Sequence, residues 1–308
     1  MSGVAVGAVL LVASSLLSTM EVICVRLLDG HASNGQILLF RAGGQLALAS
    51  ASLAFVGGLP LLRTKRLRVH LIRAGLSAGS WWLYYASFQT LDLALATTLS
   101  FSSQIFVVIL AALCLGERLT PRRLGATLLG LFGIAIAVRL WGVQSIDGRA
   151  LYGLASAFLG AVMLVITRSL SQTERTQTIM FYIGVIVFLA AVPQAALDWR
   201  SLTGRDTGLL LAMGLLGTSA MWLMVEAYRY AEASSLAPFP YFRLIFSAVA
   251  GSVFFSEVVR LETLVGAGLI VGSALLIISE AGKQADHPRG TRPRMIFQWK
   301  KRVGNEQQ

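Results

Sequence analysis

Gln104 and Arg243 are the residues whose type and surroundings best suit chemistry. Each lies in a long apolar stretch, where an amide or a guanidinium needs a partner or water. Gln104 belongs to ALATTLSFSSQIFVVILAALCLGE, residues 94–117, and Arg243 to SSLAPFPYFRLIFSAVAGSVFFSE, residues 234–257. The two stretches share a layout 140 positions apart, with Ile105-Phe106 falling on Ile245-Phe246 and Glu117 on Glu257. An arginine in mid-membrane costs at least about 2.5 kcal/mol by insertion scales, so it faces a partner or water. The expected chemistry is recognition: Arg243 takes an anionic group, and Gln104, Ser100, Ser103 and Tyr241 add hydrogen bonds. The alternative is a standing ion pair or a guanidinium satisfied by carbonyls. Pro238 and Pro240 each remove a backbone donor and free an upstream carbonyl, which suits a bend beside a polar cavity.

Glu21 and Arg41 form a second candidate. Each lies about 9–10 Å below the same face of the membrane, counted along its own helix. They are expected to meet, either as an architectural ion pair or as a gate or proton-coupling carboxylate. Glu226 is a candidate for proton coupling and is placed to pair with Arg229 or Arg243. The aromatic run Trp81, Trp82, Tyr84, Tyr85 and Phe88 either lines a pocket, with Trp82 and Tyr85 touching substrate, or packs and anchors. Glu117 and Glu257 close their helices at a membrane face and read as caps or partners of neighbouring groups.

The elements that position these residues are apolar helices. The 308 residues are 56% hydrophobic and 13% charged, where a soluble domain carries about 25% charged residues. Ten apolar segments are expected near 3–28, 35–58, 74–91, 94–117, 122–140, 150–170, 178–197, 207–230, 235–256 and 262–281. The net charge of +11 is not a nucleic-acid signature, because the basic residues cluster between apolar runs. Cys24 and Cys114 lie within spans and offer neither a disulfide framework nor metal spacing. No nucleotide-binding loop, metalloprotease motif or nucleophile elbow is present, and His31, His70 and His287 all fall outside the expected spans. The chain is therefore read as a non-enzyme without cofactor or metal, with a small molecule and the bilayer as partners.

With both termini cytoplasmic, the inner loops and tail carry 18 of the 26 basic residues, as the positive-inside rule requires. The internal similarity reaches further: Leu-Gly-Ala-Thr-Leu at 124–128 lies over Val-Gly-Ala-Gly-Leu at 265–269, and Arg26 matches Arg168. The fold class is thus an all-α membrane protein of ten transmembrane helices in two five-helix repeats, 1–142 and 143–282, with a basic tail over 283–308. An odd number of spans per copy inverts the second copy in the membrane, and inverted repeats hold substrate near the midplane. Gly268 and Gly272 form a G-x-x-x-G in the last span, suited to close packing inside the bundle or to a homodimer.

Tyr85-Ala86 through Leu91 and Ala94, Leu99-Ser100-Phe101, and AALCLGER at 111–118 resemble the signature of EamA-type permeases of the drug/metabolite transporter superfamily. Ala227-Tyr228-Arg229-Tyr230-Ala231, Ala237-Pro238-Phe239 and Phe255-Ser256-Glu257 are similar to the second EamA repeat. The resemblance covers about 3–282 and implies a ten-helix inverted-repeat carrier of metabolites in the inner membrane, with the fifth and tenth helices peripheral. Where the first repeat of the family often has proline, this chain has Gln104. The expected function is secondary transport of a small anionic or zwitterionic metabolite, such as an amino acid or a nucleoside-like compound. The alternatives are export of apolar drugs, or a receptor or scaffold that transports nothing.

Overall fold

In hydrocarbon a backbone has only itself to bond to, and long apolar runs answer by forming helices. The computed structural model describes residues 3–28, 30–56, 58–90, 99–117, 120–137, 140–142, 150–255 and 261–285, and for Leu59, Leu61, Trp82, 85–90, Gly142, Phe255 and 278–285 the backbone alone. No strand occurs among the described residues. The longer helices are α1 (Gly3–Leu27), α2 (Asn34–Val56), α3 (Leu67–Thr90), α4 (Ser103–Leu115), α5 (Pro121–Ala137), α6 (Ala150–Ser171), α7 (Thr176–Leu197), α8 (Gly204–Tyr230), α9 (Phe242–Phe255) and α10 (Leu261–Ala285). Six described helical stretches are long and apolar enough to cross a membrane: α1, α2, α6, α7, α8 and Ala233–Phe254; Leu99–Leu115 and Leu261–Ile277 are shorter apolar helices. Large apolar side chains such as Phe55, Leu113, Phe132, Leu189 and Val253 point outward, as lipid-facing residues do.

The packing pairs α1 with α8, α3 with α6, α2 with α7, and α5 with α10. Exchanging the first five helices with the last five maps this set of pairs onto itself. The contacts of α4 with α6 and of α1 with α9 are exchanged in the same way. The α5–α10 pair approaches backbone to backbone. A Cβ at Gly133 would lie 2.8 Å from the Gly266 carbonyl oxygen, and one at Gly266 would lie 2.4 Å from that of Gly133. Gly268 and Gly272 have open space around them, so the G-x-x-x-G is not the internal contact of α10.

The twin stretches are both broken near corresponding positions. Ser102 interrupts the first, its hydroxyl donating to the Leu99 carbonyl at 2.5 Å, and α4 resumes at Ser103. The second starts as a helical turn at Ala233–Leu236, passes through a 3₁₀ turn at Phe239–Tyr241, and continues as α9. Pro238 and Pro240 sit at the start of that tight turn, where missing donors do least harm. The third helix begins at Leu67, earlier than its apolar run predicts. Arg68, His70 and Arg73 therefore belong to α3 rather than to a basic loop, and His70 is buried at 1% exposure. The reason is tertiary: α3 packs against α6 and α7, and His70 and Arg73 are buried while Leu67, Leu71 and Ile72 of the same turns stay exposed.

Candidate functional site

Glu21 on α1 and Arg41 on α2 come together, with Arg41 Nε donating to Glu21 Oε1 at 2.5 Å. Their side chains keep 13% and 21% of their exposure, respectively. The Arg41 guanidinium lies over the Trp81 ring, 4.5 Å from its centroid, a cation–π arrangement. Gly217 on α8 leaves room for the carboxylate, since a Cβ there would lie 2.5 Å from Glu21 Oε1. Four helices thus converge on one ion pair. Tyr84, nearly one turn beyond Trp81, lies within electrostatic reach of both Glu21 and Arg243.

Arg243 sits in the first turn of α9, half-buried. It makes no hydrogen bond or ion pair among the described residues. Gln104, in the first turn of α4, is buried at 5% exposure. Its Nε2 reaches Ser103 Oγ at only 3.4 Å, and its Oε1 is buried without a partner. Arg243 and Gln104 therefore occupy equivalent turns of the twin helices and do not bond to each other. Ser100 and Ser103 are half-buried beside Gln104.

Tyr241 departs from its expected place. Its side chain is fully buried and packs edge-on against Phe101, ring centroids 5.7 Å apart. Its hydroxyl donates to the Thr127 carbonyl on α5 at 3.3 Å. It lies with Ile134 and Ile270, between α5 and α10. These contacts make Tyr241 a packing residue between the two helices; it stands in a 3₁₀ turn that ends next to Arg243. The side chains of Trp82 and Tyr85 lie outside the described residues, as does Glu257.

Glu226 accepts a hydrogen bond from Thr176 Oγ1 and lies 3.9 Å from Arg229 of the same helix. Of its two expected partners, the structure pairs it with Arg229. Arg229 also donates through Nε to the Ser171 carbonyl at 3.1 Å.

Glu117 is more deeply engaged than a loop-edge residue. Gly116 ends α4 in the left-handed region at φ 69°, which glycine tolerates without a Cβ penalty, and the chain turns Glu117 back toward the start of the second twin. Its carboxylate, 6% exposed, accepts from Ala233 N and Ser234 N, each at 2.9 Å, and from Ser234 Oγ at 2.7 Å. Arg168 on α6 stands 3.8 Å away and donates to the Tyr228 carbonyl on α8. Arg123 on α5 pairs with Glu232 and donates to Ser234 Oγ at 2.9 Å. One end of the bundle is thereby tied across both halves of the chain. The sequence marked Glu117 as a cap or partner without identifying whose, and marked Arg168 as the repeat counterpart of Arg26 without a partner. The 140-residue repeat is the signal that singles out Glu117.

A profile of the EamA-like transporter family matches residues 5–139 and 149–279. The S-adenosylmethionine uptake transporter of Rickettsia felis is 28% identical over 229 residues, 73% of this chain and 76% of that protein. The riboflavin transporter of Rhizobium johnstonii is 30% identical over 232 residues, 75% of this chain and 76% of its own. The pseudopaline exporter of Pseudomonas aeruginosa is 30% identical over 211 residues, 67% and 73% of the two chains. A solved crystal structure superposes with TM-score 0.75 at 16% identity, over 90% of this chain and 98% of its own, a likeness of fold alone.

Proposed function

The chain belongs to the EamA-like transporter family, and from that premise we propose that it moves a small anionic or zwitterionic metabolite by alternating access. It is a membrane transporter and not an enzyme. In this proposal ten helices cross the membrane as two inverted five-helix halves, both termini are cytoplasmic, and the membrane is the inner one. The substrate sits between the first turns of α4 and α9. Arg243 grips its anionic group, Gln104 supplies an amide, and the Glu21–Arg41 pair with Trp81 and Tyr84 forms the wall toward α1 and α2. Glu226, already paired with Arg229, is the weaker candidate for proton coupling.

The observation that carries this reading is the contrast between two arginines. Arg41 has a carboxylate and an aromatic face. Arg243 has neither hydrogen bond nor ion pair among the described residues, and on the equivalent turn of the twin helix Gln104 Oε1 is buried without a donor. Groups left so in a membrane protein suit a ligand that completes them. Compounds that join an amino acid to a nucleoside are the first to screen, since the named cargoes of the relatives include S-adenosylmethionine. The drive is an ion gradient or the substrate's own gradient.

Substrate affinity of purified Arg243→Ala against the native protein tests the site. Loss of a charge-assisted bond is worth about 1.5–3 kcal/mol, roughly ten- to a hundredfold in affinity. Arg243→Lys keeps the charge but loses the planar fork, so it is expected to fall between. Equal affinity in well-folded Arg243→Ala removes Arg243 from the site. Export of apolar compounds is favoured by one feature, an apolar groove of about 430 Å³ lined by Ala8, Val12, Phe239, Phe242, Phe246 and Ala274. Flux of an apolar dye into proteoliposomes, unaffected by Arg243→Ala, would establish that second reading. No flux of any screened compound would favour a receptor or scaffold.

A further inference from the structure

The apolar groove of about 430 Å³ is a trough between three helices. One wall is a stripe of α1, formed by Ala5, Ala8, Val12 and Leu16; these recur every three or four residues and so share a face. The other wall is Val271, Ala274 and Leu275 of α10. Phe239, Phe242 and Phe246 complete the lining, and α9 packs against both α1 and α10, so its aromatic rings close the trough from within. Leu16 and Leu275 on the rims are exposed, and the trough opens outward between them.

Every lining side chain is Ala, Val, Leu or Phe, so neither water nor a free ion finds a partner there. Outside lies hydrocarbon. Lipid tails are as apolar as the lining, and burial from water therefore does not favour the site. Dispersion does: lining atoms that face a gap lack partners, and a chain laid along the trough supplies them. The length fits such a chain. Ala5 to Leu16 is eleven residues, about 16 Å at helical rise, and one leaflet of a core about 30 Å thick measures about 15 Å. Ala5 stands near the start of α1 and Leu16 midway along it, so the trough crosses one leaflet and stops near the midplane.

That leaflet adjoins the end of the bundle tied by Glu117, since Gly7 of α1 packs against Leu236 in the first turn of the second twin. In the ten-span arrangement this is the face of both chain ends and of 18 of the 26 basic residues. Basic residues near a membrane surface attract anionic headgroups.

We propose that the trough holds one acyl chain of an anionic phospholipid, with its headgroup at the basic face. The chain bears on Phe242 and Phe246, which flank Arg243 in sequence, and so backs the turn of α9 that carries it. An apolar cargo would pass through the same groove, whereas this lipid stays. The occupant does not depend on Arg243 holding substrate; the choice of headgroup alone rests on the proposed arrangement of the spans.

Native mass spectrometry of the purified full chain, delipidated and then titrated with dioleoyl phosphatidylglycerol in detergent, tests it. One lipid per chain is expected to bind saturably, ahead of weaker adducts. Ala13→Phe projects a ring into the trough from α1. Leu275→Trp narrows it from the opposite rim; Leu275 is 59% exposed, so this variant keeps the test decisive even if Ala13→Phe does not fold. Each is expected to weaken the first adduct about tenfold. Dioleoyl phosphatidylcholine is expected to bind about tenfold more weakly than phosphatidylglycerol, and glycerol phosphate, a headgroup without chains, to displace nothing. Absence of a saturable first adduct overturns the proposal. So does native affinity retained in both variants, which places the lipid elsewhere, and so does displacement by glycerol phosphate, which marks a headgroup site without a chain. Equal binding of the two phospholipids overturns the anionic headgroup.

Discussion

Replacing Glu21 by Gln tests whether the Glu21–Arg41 pair is architecture or machinery. The substitution leaves Arg41 without a counter-charge while its guanidinium stays over Trp81 at 4.5 Å. Breaking a buried pair from one side costs about 3–5 kcal/mol. The side chains keep 13% and 21% exposure, so water screens part of the loss and the lower end applies. The cation–π contact persists and retains about 0.5–1 kcal/mol of Arg41's stabilisation. The expected net loss is about 2–3 kcal/mol, which lowers the unfolding midpoint in detergent by roughly 5–10 °C at about 2–4 °C per kcal/mol. Glu21→Gln with Arg41→Gln removes both charges and leaves two amides able to bond each other. That double variant is expected to recover most of the loss, a coupling of about 2 kcal/mol in the cycle. Single losses that simply add in the double variant refute the pairing argument. A Glu21→Gln protein that unfolds at the native temperature yet transports nothing refutes the architectural role and makes the carboxylate part of the mechanism.

Glu117→Gln is expected to lose about 1–3 kcal/mol in thermal unfolding, because an amide nitrogen cannot accept from the Ala233 and Ser234 backbone; an unchanged midpoint would mean that the carboxylate does not cap that turn. Gly133→Ala should destabilise by about 1–3 kcal/mol, since its Cβ would press on the Gly266 backbone where nothing flexible can yield; native stability would contradict the close approach of α5 and α10. In intact cells an impermeant thiol reagent is expected to label a cysteine placed at Asp92 and to miss one placed at Lys301. Labelling at Lys301 would reverse the proposed orientation.

The spans and the repeat were legible in the sequence because they rest on periodic or summed properties. Apolar length needs no partner to be recognised, and the match of Glu117 to Glu257 is a feature of the linear chain. The meeting of Glu21 with Arg41 was also legible, since helical rise places both at one depth and a buried charge seeks its opposite. What escaped depended on which way a short segment turns. Tyr241 carries the right chemistry for a binding site, yet a 3₁₀ turn aims it between α5 and α10; no one-dimensional pattern encodes that rotation. Arg68, His70 and Arg73 keep Leu67–Arg73 from reading as the start of an apolar helix, and only packing against α6 and α7 buries His70 and Arg73. Glu117 was visible as a repeated acid, but its partners Ala233 and Ser234 lie more than a hundred residues away. Composition and periodicity sum over many residues, so the sequence alone determined the all-helical membrane class and the repeat. Which polar groups are satisfied depends on single directions in space, and only the tertiary structure decided that Arg243 makes no hydrogen bond or ion pair among the described residues while Gln104 Oε1 and the terminal nitrogens of Arg73 are buried without a partner.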